Sequence, residues 1–305
     1  MDKFLYGWFL PITLSFTLAL VGYLIFRDNV CVVNGDGMNP NFLDGETIAV
    51  RKFQHVKIND ILLIDSPLKR QKKKPNYSLK RCVALPGDTV KISEKKLFVN
   101  GNLQSSDFCQ FNRRVMLFSK EEARVAVATY GITSGKITNM TQIIPISERV
   151  FNRIQHDSLL RYVTTDITSK ELSDRCLYPF SSFFRWNKDF YGPLIVPKKG
   201  MTIKLTTSNI VFYRHLLENF ENSKLEYKNG QCYINGKVAD NYTFKKNYYF
   251  LLNDYRDDPS DSRTFGPIPE DLIFAKYCGL LIGKNKDGEI DYEKSFKITL
   301  GKILF

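Results

Sequence analysis

Short apolar runs separated by turn residues make up most of this chain, and one long uncharged run precedes them. In the first half, Thr47–Lys52, Asp60–Asp65, Lys80–Leu85, Thr89–Ser93 and Leu97–Val99 alternate or run apolar between Asp-Gly, Pro-Gly-Asp and Asn-Gly turns. The same texture returns at Met201–Leu205, Leu225–Tyr227, Cys232–Ile234, Tyr248–Leu252 and Leu272–Ile282. Between them the period lengthens. Ser119–Thr129 and Ile146–His156 have helical spacing, and SKEE and SERV read as helix starts. The pattern predicts a mainly β, antiparallel body built from residues 27–100 and 190–305, with an inserted α+β lobe at 101–189.

The long run is Phe4 to Phe26, FLYGWFLPITLSFTLALVGYLIF, which holds no charged residue. As a helix it would reach about 34 Å, enough to cross the hydrocarbon core of a bilayer. Tyr6, Trp8 and Tyr23 fall where interfacial aromatics belong. A cleaved signal peptide would end in small residues, whereas this run ends in Arg27-Asp28-Asn29. The reading is an uncleaved transmembrane anchor at 4–26. Residues 1–3 would be cytoplasmic and the body exported, an orientation that rests on one basic charge.

Charge and special residues narrow the function. The 305 residues carry Lys+Arg 44 against Asp+Glu 32, a net +12 that favours anionic surfaces. Five of the six residues at 69–74, Lys-Arg-Gln-Lys-Lys-Lys, are basic, a solvated loop or a contact for lipid headgroups. The histidines, His55, His156 and His215, are scattered and make no zinc signature. The six cysteines show no C-x-x-C pair and are mostly flanked by apolar residues, so they read as small buried hydrophobes. Gly35-Asp36-Gly37 lacks the third glycine of a dinucleotide loop. NKDGEID at 285–291 has Gly283 and Lys294 where a calcium loop needs its terminal ligands. Neither a cofactor nor a metal is expected.

Three stretches carry the informative chemistry: VVNGDGMNPNFLDGETIAVRKF (32–53), SLKRCVALPGDTV (78–90) and YYFLLNDYRDDPSDSRTFGPIPEDLIFAKYCG (248–279). In this order behind an N-terminal anchor, they resemble bacterial type I signal peptidase, a membrane serine peptidase with a Ser/Lys dyad. The resemblance extends over RWNKDFYGPLIVPKKG (185–200) and NGQCYINGKVADNYTFKKNYYF (229–250). It implies a signal-peptidase-like β-body on the periplasmic side of the bacterial cytoplasmic (inner) membrane. In that chemistry a serine attacks the scissile carbonyl, a buried neutral lysine takes its proton, and backbone N–H groups hold the oxyanion. The substrate lies extended along the strands and pairs by its backbone.

Transferred residue by residue, the family pattern is incomplete here. The serine of G-x-S-M-x-P falls on Gly37, within Gly35-Asp36-Gly37-Met38-Asn39-Pro40, with Gly35 in the oxyanion-hole region. Lys80 matches the general base. The serine that orients this lysine falls on Pro259, and the remaining glycine and asparagine positions of the third motif carry Asn253, Tyr255 and Asp258. Asp254, Arg256, Asp261 and Arg263 are kept. Met38, Ser78 and Leu79 would line the substrate strand. Ser78 shares a strand face with Lys80, but nothing in the motif aims it at a carbonyl.

Two functions compete on this reading. One is an inactive signal-peptidase-like membrane protein that binds signal peptides or preproteins, an active paralogue or another membrane complex. The other is a working signal peptidase with a different nucleophile or an altered serine. The bilayer is a partner in both, and nucleic acid in neither. Lys80 is expected beside Gly37, charged and matched by a carboxylate or carbonyl, and the two glycines are expected to open space along the groove.

Overall fold

The computed structural model describes residues 13–17, 29–52, 55–67, 76–116, 129, 141–154, 162–181, 183–285 and 287–298. The fold is mainly β, and its named strand pairs are antiparallel. Thr13–Thr17 is helical, and the rest of the apolar run Phe4–Phe26 lies outside the described residues. Among the described residues no helix is long and apolar enough to cross a membrane. The Ser119–Thr129 helix and the basic loop at 69–74 also fall outside them, apart from Thr129.

The main sheet is built from β1 (Val30–Val32), β2 (Thr47–Arg51), β3 (Ile61–Asp65) and β4 (Tyr77–Ala84). A second sheet begins with β5 (Thr89–Ser93), β6 (Lys96–Val99) and β7 (Asn102–Leu103). Then come β8 (Gln110–Met116), β9 (Thr141–Ser147) and β10 (Tyr162–Thr165), a small sheet in the order β10-β8-β9. β11 (Phe190–Ile195) returns to pair with β5. β12 (Thr202–Lys204) pairs with β16 (Asn241–Thr243), and between them β13 (Leu225–Lys228), β14 (Gln231–Ile234) and β15 (Lys237–Val238) form a meander. β17 (Tyr248–Leu252), β18 (Ile268–Pro269) and the long β19 (Ile273–Lys284) complete the main sheet as β1-β2-β19-β3-β4-β17-β18. β20 (Ile290–Asp291) and β21 (Lys297–Ile298) pair with β19.

Both faces of this sheet are covered, which explains why its strands read as apolar runs rather than clean alternations. On β3, Leu62 and Ile64 enter one core cluster while Leu63 enters another with Leu79, Met38 and Val50. The larger cluster also takes one face of helix α2 (Ile210–Phe220), buried at Ile210, Tyr213, Leu216, Leu217 and Phe220. This helix is absent from the sequence expectation, because VFYRHLL is rich in β-branched and aromatic residues. Packing overrides that propensity.

The insertion has its own small core of Val115, Ile144, Ile146 and Ile154. The helix expected at Ile146–His156 starts later. Ile146 and Ser147 end β9 in pairs with Phe111 and Gln110, and the helix α1 spans Glu148–Ile154. All six cysteines are free thiols.

Glu46 fixes the loop between β1 and β2, which carries Gly37. Fully buried, its Oε1 accepts from Lys294 Nζ at 2.6 Å and Lys284 N at 3.0 Å, and its Oε2 accepts from Leu43 N at 3.1 Å. Removing it strands two backbone N–H groups and a lysine. Glu46→Ala should therefore lower unfolding free energy by about 3 kcal/mol in urea titration, and Glu46→Gln by less.

Candidate active site

Three segments meet at the candidate site. The first is the loop after β1. Gly35 takes a positive φ of 79° and donates its N–H to Asp44 Oδ1 at 2.7 Å. Phe42 N and Asn41 N both return to the Met38 carbonyl, so Met38 sits in a tight turn with its side chain buried against the cluster that holds Leu79. The second is β4, where Lys80 lies opposite Leu62 and Arg81 opposite Ile61. The third follows β17, from Asn253 to the short helix α3 (Ser262–Phe265).

Buried charge holds the three together. Arg81 clamps Asp254 with Nε to Oδ1 at 2.6 Å and the terminal nitrogen to Oδ2 at 2.6 Å. Asn41 Nδ2 adds a bond to Asp254 Oδ2 at 2.8 Å, and Tyr255 N donates to the Gly37 carbonyl at 2.9 Å. Asp261 is fully buried and caps α3. It accepts from Arg263 Nε at 2.9 Å, from the Arg263 terminal nitrogen at 2.7 Å and from Asn253 N at 3.0 Å. Charge-assisted, fully satisfied pairs of this kind set a loop's path more firmly than neutral bonds.

Glycine 37 is not required by its backbone, since it is not among the residues with positive φ. Space is the constraint. A Cβ placed there would lie 2.8 Å from Asn253 Oδ1, 2.9 Å from Cγ and 3.0 Å from Nδ2. The Asn253 carboxamide therefore occupies the volume that a side chain at 37 would need. It is not free to swing away, because it is fully buried and Nδ2 donates to the Asp258 carbonyl at 3.1 Å, Asp258 Oδ2 at 2.9 Å and Ser260 Oγ at 3.2 Å. Among the described residues its Oδ1 has no hydrogen-bond partner. The expectation that both glycines open space holds at Gly35, where nothing lies within 4 Å, and fails at Gly37. From sequence, Asn253 reads only as a lost glycine.

Lys80 is 6% exposed, and among the described residues its amine has no hydrogen-bond or ion-pair partner. This corrects the expected match by a carboxylate or carbonyl. Burial pulls its pKa below the ordinary 10.5. The fields of Asp261 and Asp258 pull it back up, and Arg263 adds to the lowering. Those two carboxylates are committed to Arg263 and the 253–261 loop, so they reach Lys80 through space only. The site thus keeps a desolvated amine of the kind a general base requires.

Of the nearby hydroxyls, Ser262 Oγ accepts from Leu251 N at 2.9 Å and Ser260 Oγ accepts from Asn253. Ser78 Oγ is buried without a partner among the described residues and is not hydrogen-bonded to Lys80. Pro259 offers its carbonyl to Asp261 N at 2.7 Å and to the Thr264 hydroxyl, with nothing to donate toward the lysine. Among the described residues no three His, Cys, Asp or Glu side chains cluster as a metal site would need.

A depressed lysine has a definite pH signature. The unfolded chain binds the Lys80 proton up to about pH 10.5, while the folded chain releases it earlier, so stability rises with pH across that window. Urea titrations of the wild type and Lys80→Met between pH 7 and 10 should show the wild type gaining relative to the variant as pH rises. A constant difference would mean that the amine is not depressed.

Comparison with known proteins agrees with this geometry. The family described as Signal peptidase, peptidase S26, matches residues 5–151. Signal peptidase I V of Bacillus subtilis is 33% identical over 113 residues, 35% of this chain and 62% of that protein. Signal peptidase I of Bacillus licheniformis is 32% identical over 114 residues, covering 36% and 58%. Signal peptidase IB of Staphylococcus aureus (strain N315) is 29% identical over 113 residues, covering 37% and 57%. The chain thus spans about three fifths of the length of these relatives. With the mainly β fold and the 78–90 motif on β4, these matches show that the chain is similar, over residues 5–151, to the signal peptidase family, peptidase S26.

Proposed function

We propose that this chain is a catalytically inactive member of the signal peptidase family, a bacterial inner-membrane protein anchored by residues 4–26. Its body lies on the exported side and binds peptides or a partner of the export machinery. The observation that carries the reading is the occupation of the side-chain volume at Gly37 by the Asn253 carboxamide. An acyl-enzyme needs an oxygen nucleophile at that point, and the loss of a nucleophile leaves only binding and oxyanion stabilisation. Pro259 in place of a hydroxyl removes a second part, the group that would orient Lys80. Binding survives this loss more easily than chemistry. A peptide strand pairs with backbone N–H and C=O groups, and Gly35 leaves open space beside its own.

A second reading, a working peptidase that attacks through Ser78, draws on the unpartnered Ser78 hydroxyl and the depressed Lys80 amine on one strand face. The missing hydrogen bond between them and the absence of anything aiming Ser78 at a substrate carbonyl weigh against it.

Stepwise restoration tests the proposal. Gly37→Ser alone should stay inactive on a secretory precursor and lose about 1–3 kcal/mol of stability through overpacking. Adding Asn253→Gly should recover that stability. Only the triple variant with Pro259→Ser should cut the precursor. Cleavage by Gly37→Ser alone, at full stability, would sink the account of Asn253 as the occupying group.

A further inference from the structure

Away from the Gly37–Lys80 site, a cavity of about 540 Å³ lies between the second sheet and the inserted lobe. Phe111 and Arg113 on one face of β8 and Cys109 just before it line the cavity, and Arg256 enters from the segment beside the start of that strand. The backbone places Arg256 firmly, since its N–H donates to the Gln110 carbonyl at 2.9 Å and its carbonyl accepts from Arg263 at 2.6 Å.

Its side chain is another matter. Arg256 is 7% exposed, and its guanidinium bonds the Cys109 thiol but makes no ion pair with any described carboxylate. Among the described residues its buried Nε has no hydrogen-bond partner, and the side chain lines the cavity. The carboxylates that could serve it are taken. Asp257 is held by Lys95, Lys188 and the Asn112 N–H, Asp254 by Arg81, and Glu148 by Arg113. Arg113, 4% exposed, also keeps an unpartnered Nε. Glu94 and Asp107 on the cavity wall are solvent-exposed and make no bond to either arginine. A buried cation without an anion costs several kcal/mol, and native structures seldom leave one unmatched.

We propose that this cavity is a binding site for a small organic oxyanion, a carboxylate or phosphate held in the fork of Arg256 beside Arg113. The planar guanidinium accepts two oxygens of such a group side by side. Ser106 and Gln104 line the same wall and can donate to further oxygens. Phe111 and Leu97 give the ligand's remainder an apolar wall, and the volume suits a small molecule. Arg256 belongs to the loop that also holds Asn253, but the cavity lining includes neither Gly37 nor Lys80, so the proposal does not rest on whether the chain cleaves peptides.

The test is calorimetric titration of the full chain in detergent micelles with two probes, inorganic phosphate and hexanoate, with hexanol as the neutral control. Saturable binding of either anion, absent for hexanol and weakened about tenfold or more by Arg256→Gln, supports the site. Whichever probe binds more tightly identifies the headgroup. Ser106→Glu, which sets a competing carboxylate on the wall without touching the buried network, should weaken binding likewise and serves if Arg256→Gln fails to fold. No binding of either anion up to about 20 mM, or equal binding by the wild type and these variants, overturns the proposal.

Discussion

The Asp254 carboxylate sits where three parts of the chain meet, and the position of every motif depends on it. Its two oxygens take the Arg81 guanidinium from β4 and the Asn41 amide from the Gly37 loop, and its backbone carbonyl takes Gln110 N at the start of the inserted lobe. Arg81 in turn lies over the Phe108 ring at 4.1 Å. A buried ion pair is not an efficient source of stability, but a half-removed one is strongly destabilising. The pair therefore acts as a constraint. It fixes where the 253–261 loop begins, and hence what lies over Gly37 and which charges Lys80 senses.

Within that frame, chemistry and scaffold separate cleanly. Asp261 and Arg263 are saturated by each other and by backbone groups, so they hold the loop whatever sits at 37 and 259. Gly37 and Asn253 form a size pair instead. A side chain at one excludes a carboxamide at the other, and the chain has placed the larger group on the loop side. Lys80 keeps the desolvation a proton acceptor needs, and among the described residues no hydroxyl is hydrogen-bonded to it.

Much of this was legible in the order of residues. Strands such as Thr89–Ser93 and Tyr248–Leu252 declare themselves by apolar period and turn residues, whereas Gly37, Lys80 and Pro259 are marked by the resemblance to the signal peptidase motifs. Helix α2 did not, because Val211, Phe212 and Tyr213 favour strands until tertiary packing decides otherwise. The direction of the Asn253 side chain was illegible for a different reason. It depends on backbone bonds, Tyr255 N to the Gly37 carbonyl among them, that join segments far apart in the chain. The lack of a carboxylate for Arg256 was equally hidden, since Lys95 and Lys188 claim the adjacent Asp257. Sequence names the groups, but competition for partners is settled only in three dimensions.

The central proposal is that a signal-peptidase-like scaffold persists here without its reaction, and the most direct measurement is made on the unaltered protein. The purified full chain in detergent micelles is incubated with a secretory precursor, and the products are resolved by mass. The account predicts no cleavage above the rate seen without protein, with Lys80→Ala indistinguishable from the wild type. Cutting after a small residue, abolished by Lys80→Ala, would contradict it.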